Sequence, residues 1–409
     1  MASAYESLSV EELVDKLEEA SLQGDAETVK AIASAGADVA DDENKTALYT
    51  AAENGNESAV KALIEAGADV NKATDSEMFP TALFQAVDEG HEAIVKMLID
   101  AGADLDAVND DGSTALAMAT TRDKETERQE TEAIAKMLIA AGADLNKART
   151  DGGATPLFAA AAWGQEAIVK ALIDAGADVN TGLDDEEGET PLCVASKEGH
   201  LAVVKALIAA GADVNKPDGE MQAPALIHAM GDDEKTGENT DAIAIALIEA
   251  GANIAEKPGS LAGVLAARDG RRKVIVSMIA AGWDVDADFN DGGTALTVAA
   301  HKGHVTIAKA LIAAGADVNK EDDNGETPLV FALRESKDDQ WTGPGEDPGL
   351  DDKEAIFKAL IAGGADATKP NLMEIAKEEY REKAIEIMVA AGATRPEESD
   401  DDVNDRSKW

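Results

Sequence analysis

The sequence carries few side chains that could perform chemistry, namely a single cysteine and five histidines. Cys193 is the one candidate thiol nucleophile, and a lone cysteine rules out an intramolecular disulfide. His91, His200 and His304 each follow a glycine directly, which indicates a recurring turn rather than a catalytic base. Neither a phosphate-binding glycine loop nor a cluster of metal-ligand residues stands out in the sequence. These residue types predict a protein that is not an enzyme and that binds no cofactor or metal.

One acidic segment, Asp284–Asn290, has Asp or Asn at every second position, in the manner of a calcium-binding loop. A helix–loop–helix calcium site also needs glycine at its sixth position and glutamate at its twelfth. Counted from Asp284, those two positions hold Phe289 and Ala295. The sequence therefore predicts no specific calcium site in this segment.

The chain is strongly acidic, with 82 aspartates and glutamates against 36 lysines and arginines and a formal net charge of −46. Nucleic-acid binding depends on lysine and arginine displacing counterions, so this balance predicts no nucleic-acid partner. It favours a basic or mixed-charge partner, with solubility or adaptation to a saline interior as the alternative explanation. No basic amino-terminal signal region and no run of about 18 apolar residues is found, which predicts a cytoplasmic protein without membrane insertion.

The elements that would position any site follow from a short phrase, Ala-Gly-Ala-Asp or a close relative, that recurs along the chain. Most of the uninterrupted intervals between copies run from 31 to 35 residues, and insertions account for the wider gaps. A period of this length is typical of a repeat architecture. The glycine of the phrase stands at Gly36, Gly67, Gly102, Gly142, Gly176, Gly211, Gly251, Gly282, Gly315, Gly364 and Gly392.

The copy at residues 155–180 shows what one unit builds. Thr155 can cap a helix whose first residue is Pro156, where the missing N–H costs nothing. Gly164 permits the left-handed conformation that ends this helix, and apolar residues at helical spacing then predict a second helix. Gly176 ends the second helix, and a segment rich in Asp, Gly and Asn leads to the next unit. Each unit is therefore predicted to be helix, turn, helix and hairpin.

This unit resembles the ankyrin repeat, whose signature is a Thr-Pro-Leu-His-x-Ala helix start, a Gly-His turn and a Gly-Ala-Asp-Val-Asn ending. The resemblance covers nearly the whole chain, and it implies that Cys193 packs against neighbouring repeats as a buried, inert thiol. The family's histidine after Leu is replaced, which predicts apolar contacts between repeats where hydrogen bonds are usual. Thr-Pro-Leu stands at Thr155, Thr190 and Thr327, and Gly-His stands at Gly90, Gly199 and Gly303. The family's histidine position holds Tyr49, Phe84, Ala117, Phe158, Cys193, Thr297 and Val330.

We therefore predict an all-α ankyrin repeat solenoid of about eleven helix–turn–helix–hairpin repeats over residues 1–394. Polar capping repeats are expected at about residues 1–40 and 370–394, and Ser9 with Glu12 forms a capping box at the first helix. Residues 395–409 form an acidic tail that we expect to be disordered. Insertions lengthen the fourth, seventh and tenth repeats between their two helices, at Thr121–Thr131, Gly231–Thr240 and Glu335–Asp352.

Candidate contact residues fall first at the two positions before the helix turn of each repeat, which we call the groove positions. They vary from copy to copy, as a recognition surface requires. Trp163 is either an interface anchor or a residue that shields the neighbouring repeat. Arg271 and Arg272 add to the basic residues of this set, so this region could instead receive an acidic partner or balance the local charge. The groove positions singled out are Glu53, Asp88, Glu89, Trp163, Lys197, Arg268, His301 and Lys302.

The second candidate set consists of acidic residues at the predicted hairpin tips. The family resemblance implies that hairpin tips and the face of the first helices contact partners, whereas solvated turn residues are the simpler explanation for Asp at these places. Trp341, in the third insertion, is an aromatic residue of the type that anchors interfaces. The acidic candidates are Asp110, Asp111, Asp184, Asp185, Asp322 and Asp323.

These features predict a non-catalytic protein–protein interaction scaffold that binds a basic or mixed-charge protein through a concave groove and acidic hairpin tips. Two alternatives stay open at this stage. In the first, the chain is a structural subunit of a larger assembly and docks through its regularly spaced insertions. In the second, it inhibits an enzyme by occluding its active site. The chain would act as a monomer or as a subunit of a hetero-assembly.

Overall fold

The computed structural model describes most of the chain and groups it into two compact units, Met1–Met221 and Gln222–Trp409. Both units are helical. Within the described residues no strand occurs, and the pairing of Asp288 with Thr294 is an isolated β-bridge. The described residues are 5, 7–35, 47–74, 78–121, 128–184, 188–219, 223–231, 238–288, 292–334, 350–378 and 382–394.

Helices of the first unit alternate between a first and a second helix of each repeat, as the sequence predicts. They are α1 (Val10–Gln23), α2 (Ala26–Ser34), α3 (Ala47–Glu53), α4 (Glu57–Glu65), α5 (Ala82–Asp88), α6 (Glu92–Asp100), α7 (Ala115–Thr120), α8 (Arg128–Ala141), α9 (Pro156–Ala162), α10 (Glu166–Asp174), α11 (Pro191–Lys197) and α12 (Leu201–Ala209).

The second unit continues the same alternation. Its helices are α13 (Ala225–His228), α14 (Glu238–Glu249), α15 (Leu261–Arg268), α16 (Arg272–Ala280), α17 (Ala295–His301), α18 (Val305–Ala313), α19 (Pro328–Phe331), α20 (Leu350–Ala362), α21 (Pro370–Glu378) and α22 (Glu382–Ala390). None of the described helices of either unit has the length and apolar character needed to cross a membrane.

The predicted helix starts and stops are confirmed. The Thr155 side chain accepts a hydrogen bond from the Phe158 backbone N–H at 3.2 Å, and Pro156 is the first helical residue. Gly164, just after α9, has φ of 65°, in the left-handed region that favours glycine. The same region holds the repeat-ending glycines of the described chain, namely Gly67, Gly102, Gly142, Gly176, Gly211, Gly251, Gly282, Gly315, Gly364 and Gly392.

The helices form two layers within each unit. In the first unit α1, α3, α5, α7, α9 and α11 pack in succession, as do α2, α4, α6, α8, α10 and α12. In the second unit α13, α15, α17 and α19 form one layer, while α14, α16, α18, α20 and α22 form the other. Leucine, isoleucine, valine and alanine fill the space between layers. This core explains the low aromatic content, because closely stacked helices leave room for small side chains.

The sequence makes a prediction for each end of the chain, and the structure describes the amino-terminal one. Ser9 and Glu12 form the predicted capping box, in which each backbone N–H is accepted by the other residue's side chain, at 2.9 and 3.3 Å. The predicted tail, residues 395–409, lies outside the described residues, as do the central parts of the three insertions. That residues 1–394 form a single solenoid stays a prediction.

Candidate interaction surface

Several residues that follow a helix-turn glycine connect their repeat to the preceding one. The Nε2 atom of His200 lies 3.0 Å from the carbonyl oxygen of Ala162, and that of His304 lies 3.0 Å from the carbonyl oxygen of Arg268. The turn glycine permits this approach, since a Cβ on Gly164 would lie 2.5 Å from His200 Nδ1. These histidines lie at the turns that the sequence indicated, and they also connect neighbouring repeats.

Arg271 occupies this bridging position in its own repeat. Its Nη1 donates to the Ala229 carbonyl oxygen at 3.0 Å, and its Nε donates to Asp241 Oδ1 at 2.7 Å. The residue is 5% exposed. We interpreted Arg271 from the sequence as part of a basic surface, whereas the structure places it in the interior. A residue after a turn glycine is directed at the preceding repeat, which is why the sequence interpretation of its exposure was wrong.

The other basic candidates around Arg271 differ in their surroundings. The Arg268 Nε donates to Asp269 Oδ1 at 2.6 Å. His301 is 5% exposed, and its ring packs edge-on against Phe331 with a centroid distance of 6.0 Å. Arg272 is exposed and Lys302 is half-buried. Arg268 and Arg271 are therefore paired and His301 is buried, whereas Arg272 and the adjacent Lys273 are exposed.

The groove positions of the first unit are accessible. Trp163, the C-cap residue directly after α9, is 41% exposed, and Glu89 is also exposed. Glu53 and Asp88 are half-buried. Lys197 is exposed, and its Nζ lies 3.5 Å from the buried Glu189 carboxylate. Neighbouring turns in this unit thus present acidic, aromatic and basic side chains in sequence.

The first helices α7, α9 and α11 carry apolar residues with partial or little exposure. Met118 of α7 and Ala162 of α9 are half-buried, while Ala159 of α9 and Val194 of α11 are 8% and 7% exposed. Since α7, α9 and α11 pack in succession, these side chains follow one another along the layer. The sequence singled out Trp163 alone, although the alanine run of α9 was visible beside it.

The acidic hairpin candidates differ in their surroundings. Asp110, Asp184 and Asp323 are exposed. Asp111 is half-buried, with Arg149 Nη2 at 3.7 Å from its Oδ2. Asp322 has a structural role, because its Oδ1 accepts backbone N–H groups of Asn324 and Glu326 at 2.9 and 2.8 Å. Asp185 and Trp341 lie outside the described residues.

A ladder of side-chain hydrogen bonds along the repeat endings is a feature that sequence reasoning missed. Asn146 Oδ1 accepts from the Asp178 N–H of the next repeat at 2.9 Å, and Asp286 Oδ1 accepts from the Asp317 N–H at 2.9 Å. The regular Asp-x-Asn ending was the available clue. It also explains the calcium-like alternation near Asp284, whose Oδ1 accepts the Asp286 N–H at 3.0 Å. Across the described residues, no group of three or more candidate ligands could hold a metal ion.

Hydrogen bonding and burial shift the pKa values of Asp178 and Cys193 in the first unit. The pKa of Asp178 is lowered because the Asn180 backbone N–H and the Thr181 hydroxyl donate to its carboxylate. Burial raises the pKa of the Cys193 thiol, and the residue is 1% exposed. A raised pKa keeps the thiol protonated at neutral pH, which agrees with the inert, buried cysteine that the family resemblance implied.

One predicted apolar contact proves to be polar. The Tyr49 hydroxyl donates to Gln85 Oε1 of the next repeat at 2.8 Å, within the buried layer. Tyr49 stands at the family's histidine position, where the sequence predicted apolar packing. A phenol can bury its ring and still keep a hydrogen bond, so this position retains a polar tie between repeats.

A size exchange in the second unit was also missed. Trp283 stands in place of the alanine that follows glycine in the repeat phrase and is 4% exposed. Its ring fills the space beside Gly263, where a Cβ would lie 2.1 Å from Trp283 Cζ2. Counted back from the turn glycine, the position of Gly263 holds a buried leucine in other first helices, such as Leu157 and Leu296. The tryptophan thus replaces a missing leucine.

A protein-family model agrees with this architecture. The family model described as ankyrin repeats (3 copies) matches residues 17–109, 75–147, 125–218 and 263–340. The crystal structure of the human ASB11 ankyrin repeat domain is similar, with 24% sequence identity and a TM-score of 0.43. That match covers 56% of this chain and 95% of the human domain. No curated protein matches the chain. Because the family model covers more than half of its length, the chain belongs to the ankyrin repeat family.

Proposed function

We propose that this protein is a non-catalytic interaction module that binds a basic or mixed-charge protein through its groove positions and its exposed hairpin carboxylates. Ankyrin repeats generally mediate protein–protein interactions. The observation that supports the electrostatic part of the proposal is that several basic residues lie beside carboxylates of the chain itself. Arg271 pairs with Asp241 and Arg268 with Asp269, and Lys197 lies beside Glu189. Local pairing thus reduces the positive charge that these residues present.

The chain carries 82 acidic and 36 basic residues, so pairing with lysine or arginine can neutralise only part of its carboxylates. Asp110 and Asp184 are exposed on hairpins of the first unit, and Glu89 is exposed at a turn. Separated carboxylates of one sign attract a basic protein over roughly one Debye length, about 8–10 Å at physiological salt. Such attraction accelerates association and favours basic partners over acidic ones.

The test is capture of partners from a cell extract at about 50 mM and about 500 mM salt, which shortens the Debye length and screens exposed charge. We expect the captured set to be enriched in basic proteins at low salt and to be lost at high salt. Retention of the same proteins at both concentrations would contradict the electrostatic part of the proposal.

A matched pair of charge-reversal variants locates the surface. The double variant Asp110→Lys with Asp184→Lys changes two exposed hairpin carboxylates, and we expect it to release the low-salt partners. The control, Asp100→Lys with Asp174→Lys, makes the same change in net charge at exposed ends of α6 and α10. Equal loss in both variants would show that net charge alone, rather than the hairpin surface, recruits the partners.

A further inference from the structure

We infer that the first unit recognises a bipartite partner segment, in which a cluster of lysine or arginine residues is joined to a bulky apolar residue. The basic cluster lies over the groove positions of the second and third repeats, and the apolar residue packs on Trp163 of the fifth. This inference rests on the proposed function and specifies the chemistry of the partner. One half of this surface is acidic and the other half is apolar.

The acidic half consists of groove positions on α3 and α5. Glu53 and Asp88 are the last residues of these helices and are half-buried, and Glu89 is exposed at the adjoining turn. Since α3 packs against α5, the three carboxylates lie on adjacent repeats. No lysine or arginine occupies a groove position in these two repeats. A cationic side chain is the group that this half would attract.

The apolar half lies two repeats further along. Trp163 is 41% exposed, and the first helices α7, α9 and α11, which pack in succession, carry apolar residues that include Met118, Ala162 and Val194. An exposed indole on an otherwise strongly charged surface leaves apolar area in water, and covering it with an apolar partner side chain stabilises a complex. Tryptophan is among the residues most enriched in binding hot spots.

The two halves have a fixed separation. From α5 to α9 there are two helix-to-helix steps, through α7, and each step between packed helices is about 8–10 Å. An extended chain advances about 3.3–3.6 Å per residue, so about five or six residues span the distance of roughly 20 Å. The partner segment therefore places its basic cluster about six residues from its apolar anchor.

Lys197 sets the direction of this arrangement. It occupies the groove position of the sixth repeat, on the side of Trp163 away from the acidic half, and its side chain is 50% exposed. The Glu189 carboxylate, 3.5 Å from its Nζ, offsets only part of this charge. Glu198, the second groove position of the same repeat, is also exposed, so this repeat presents one charge of each sign and attracts a basic cluster less than the three carboxylates of α3 and α5 do. The basic cluster consequently lies toward α3 and α5.

Synthetic peptides test the inference by fluorescence anisotropy with the full chain at low salt. The first has about four lysines, a Gly-Ser spacer of about six residues and a Leu-Phe pair, the second has a spacer of about two residues, and the third has Gly-Ser instead of Leu-Phe. Each is made in both chain directions. We expect the first peptide, in one direction, to bind about tenfold more tightly than the second and third.

Variants assign this preference to the two halves. Trp163→Ala should lower the affinity of the first peptide to that of the third, whereas the pair Asp88→Asn with Glu89→Gln should weaken all three peptides. Val276→Ala is the matched control, because Val276 of the second unit is 44% exposed and lies outside this surface. We expect it to change nothing. Circular dichroism confirms that each variant is folded.

The outcomes separate the inference from the proposed function. Equal affinity of wild type for the first and third peptides, or an unchanged preference in Trp163→Ala, would overturn the bipartite segment while the electrostatic proposal survives. If none of the lysine peptides binds the wild-type chain at low salt, the proposed function fails and the inference fails with it.

Discussion

Trp163 and Trp283 are two tryptophans at which the chain departs from the repeat pattern, and they differ in their burial. Trp163 of the first unit stands at a helix turn and is 41% exposed. Trp283 of the second unit stands in the repeat ending and is 4% exposed, with its ring against Gly263. The difference follows from the neighbours, because only the second tryptophan is accompanied by the loss of a large side chain elsewhere in its repeat.

The comparison shows how to distinguish a binding residue from a packing residue in a repeat protein. A packing residue is compensated by a size change of opposite sign at a contacting position, which keeps the total core volume nearly constant. The exchange of leucine for glycine at Gly263 and of alanine for tryptophan at Trp283 fits this rule. Trp163 has no such compensation in its repeat, where Leu157 keeps its usual place at 1% exposure.

The largest effect is expected for Trp283→Ala, which removes a buried ring and leaves a cavity beside Gly263. Replacement of a buried tryptophan by alanine lowers the free energy of unfolding by about 3–5 kcal/mol. Trp163→Ala should lower it by much less, by about 1 kcal/mol, because the residue is 41% exposed and part of its ring is already in water. Chemical denaturation of both variants, followed by circular dichroism, measures the difference. A similar decrease in the free energy of unfolding for both variants would contradict the distinction between a packing and a binding tryptophan.

A rescue variant sharpens the same point. Combining Trp283→Ala with Gly263→Leu restores the residue types found in the other repeats, so it should recover most of the lost free energy of unfolding. Gly263→Leu alone should be destabilising, since a Cβ at that position would already lie 2.1 Å from the tryptophan ring. Additive losses in the double variant would contradict the exchange.

The sequence predicted the turns and caps that follow the repeat pattern better than the residues that depart from it. The turns at Gly164 and Gly176 and the cap at Thr155 follow the pattern and were predicted. Positions that depart from it have to be interpreted from their contacts, and the sequence does not give these. The sequence interpretation put Arg271 on the surface, and the Trp283 exchange was missed although both of its residues were visible. A departure and its compensation can lie some 20 residues apart, so neither points to the other without the fold.

The candidate surface was predictable only in part for a related reason. The exposure of Trp163 and Asp184 depends on what the adjoining repeats place beside them, and no periodicity specifies that. Asp322 and Asp323 are neighbours in the sequence, yet the carboxylate of Asp322 accepts two backbone N–H groups of its own hairpin while Asp323 is exposed. Composition gives both residues the same role, and hydrogen-bond geometry distinguishes them.

Arg271 is a second compensated departure, and its removal should have an intermediate effect. Its guanidinium replaces the bridging histidine and is matched by Asp241, at 2.7 Å. Arg271→Ala leaves that carboxylate and the Ala229 carbonyl oxygen without their donor, which should lower the free energy of unfolding by about 2–3 kcal/mol. Denaturant titration of the variant measures this loss.

The neighbouring Arg272 provides the control for that measurement. It is exposed at the start of α16, so Arg272→Ala should change the free energy of unfolding by no more than about 0.5 kcal/mol. Arg271→Ala with Asp241→Ala tests the match directly, since removing both charges should cost less than the sum of the two single changes. Simple additivity would show that Arg271 and Asp241 do not act as a pair.

The smallest effect is expected where the chain follows the repeat, at Asp178 of the first unit. Its lowered pKa means that the folded state favours the charged carboxylate. The resulting stability is present in full well above the ordinary pKa of 3.8, declines as the pH falls below that value, and is absent once the pH is below the folded-state pKa. Asp178→Asn should therefore lower the free energy of unfolding by only a few tenths of a kcal/mol near neutral pH, because solvent screens this exposed group.

Comparison with Asp174→Asn isolates the hydrogen-bonded carboxylate from the overall charge. Both substitutions remove one negative charge from a chain of net charge −46, which reduces repulsion equally, but Asp174 is exposed at the end of α10. Denaturation at a series of pH values should show Asp178→Asn less stable than Asp174→Asn near pH 7 and equal to it in strong acid. A difference that persists in strong acid would mean that Asp178 stabilises the repeat ending through geometry rather than charge, because below the folded-state pKa the carboxyl group is neutral in both the native and the unfolded chain.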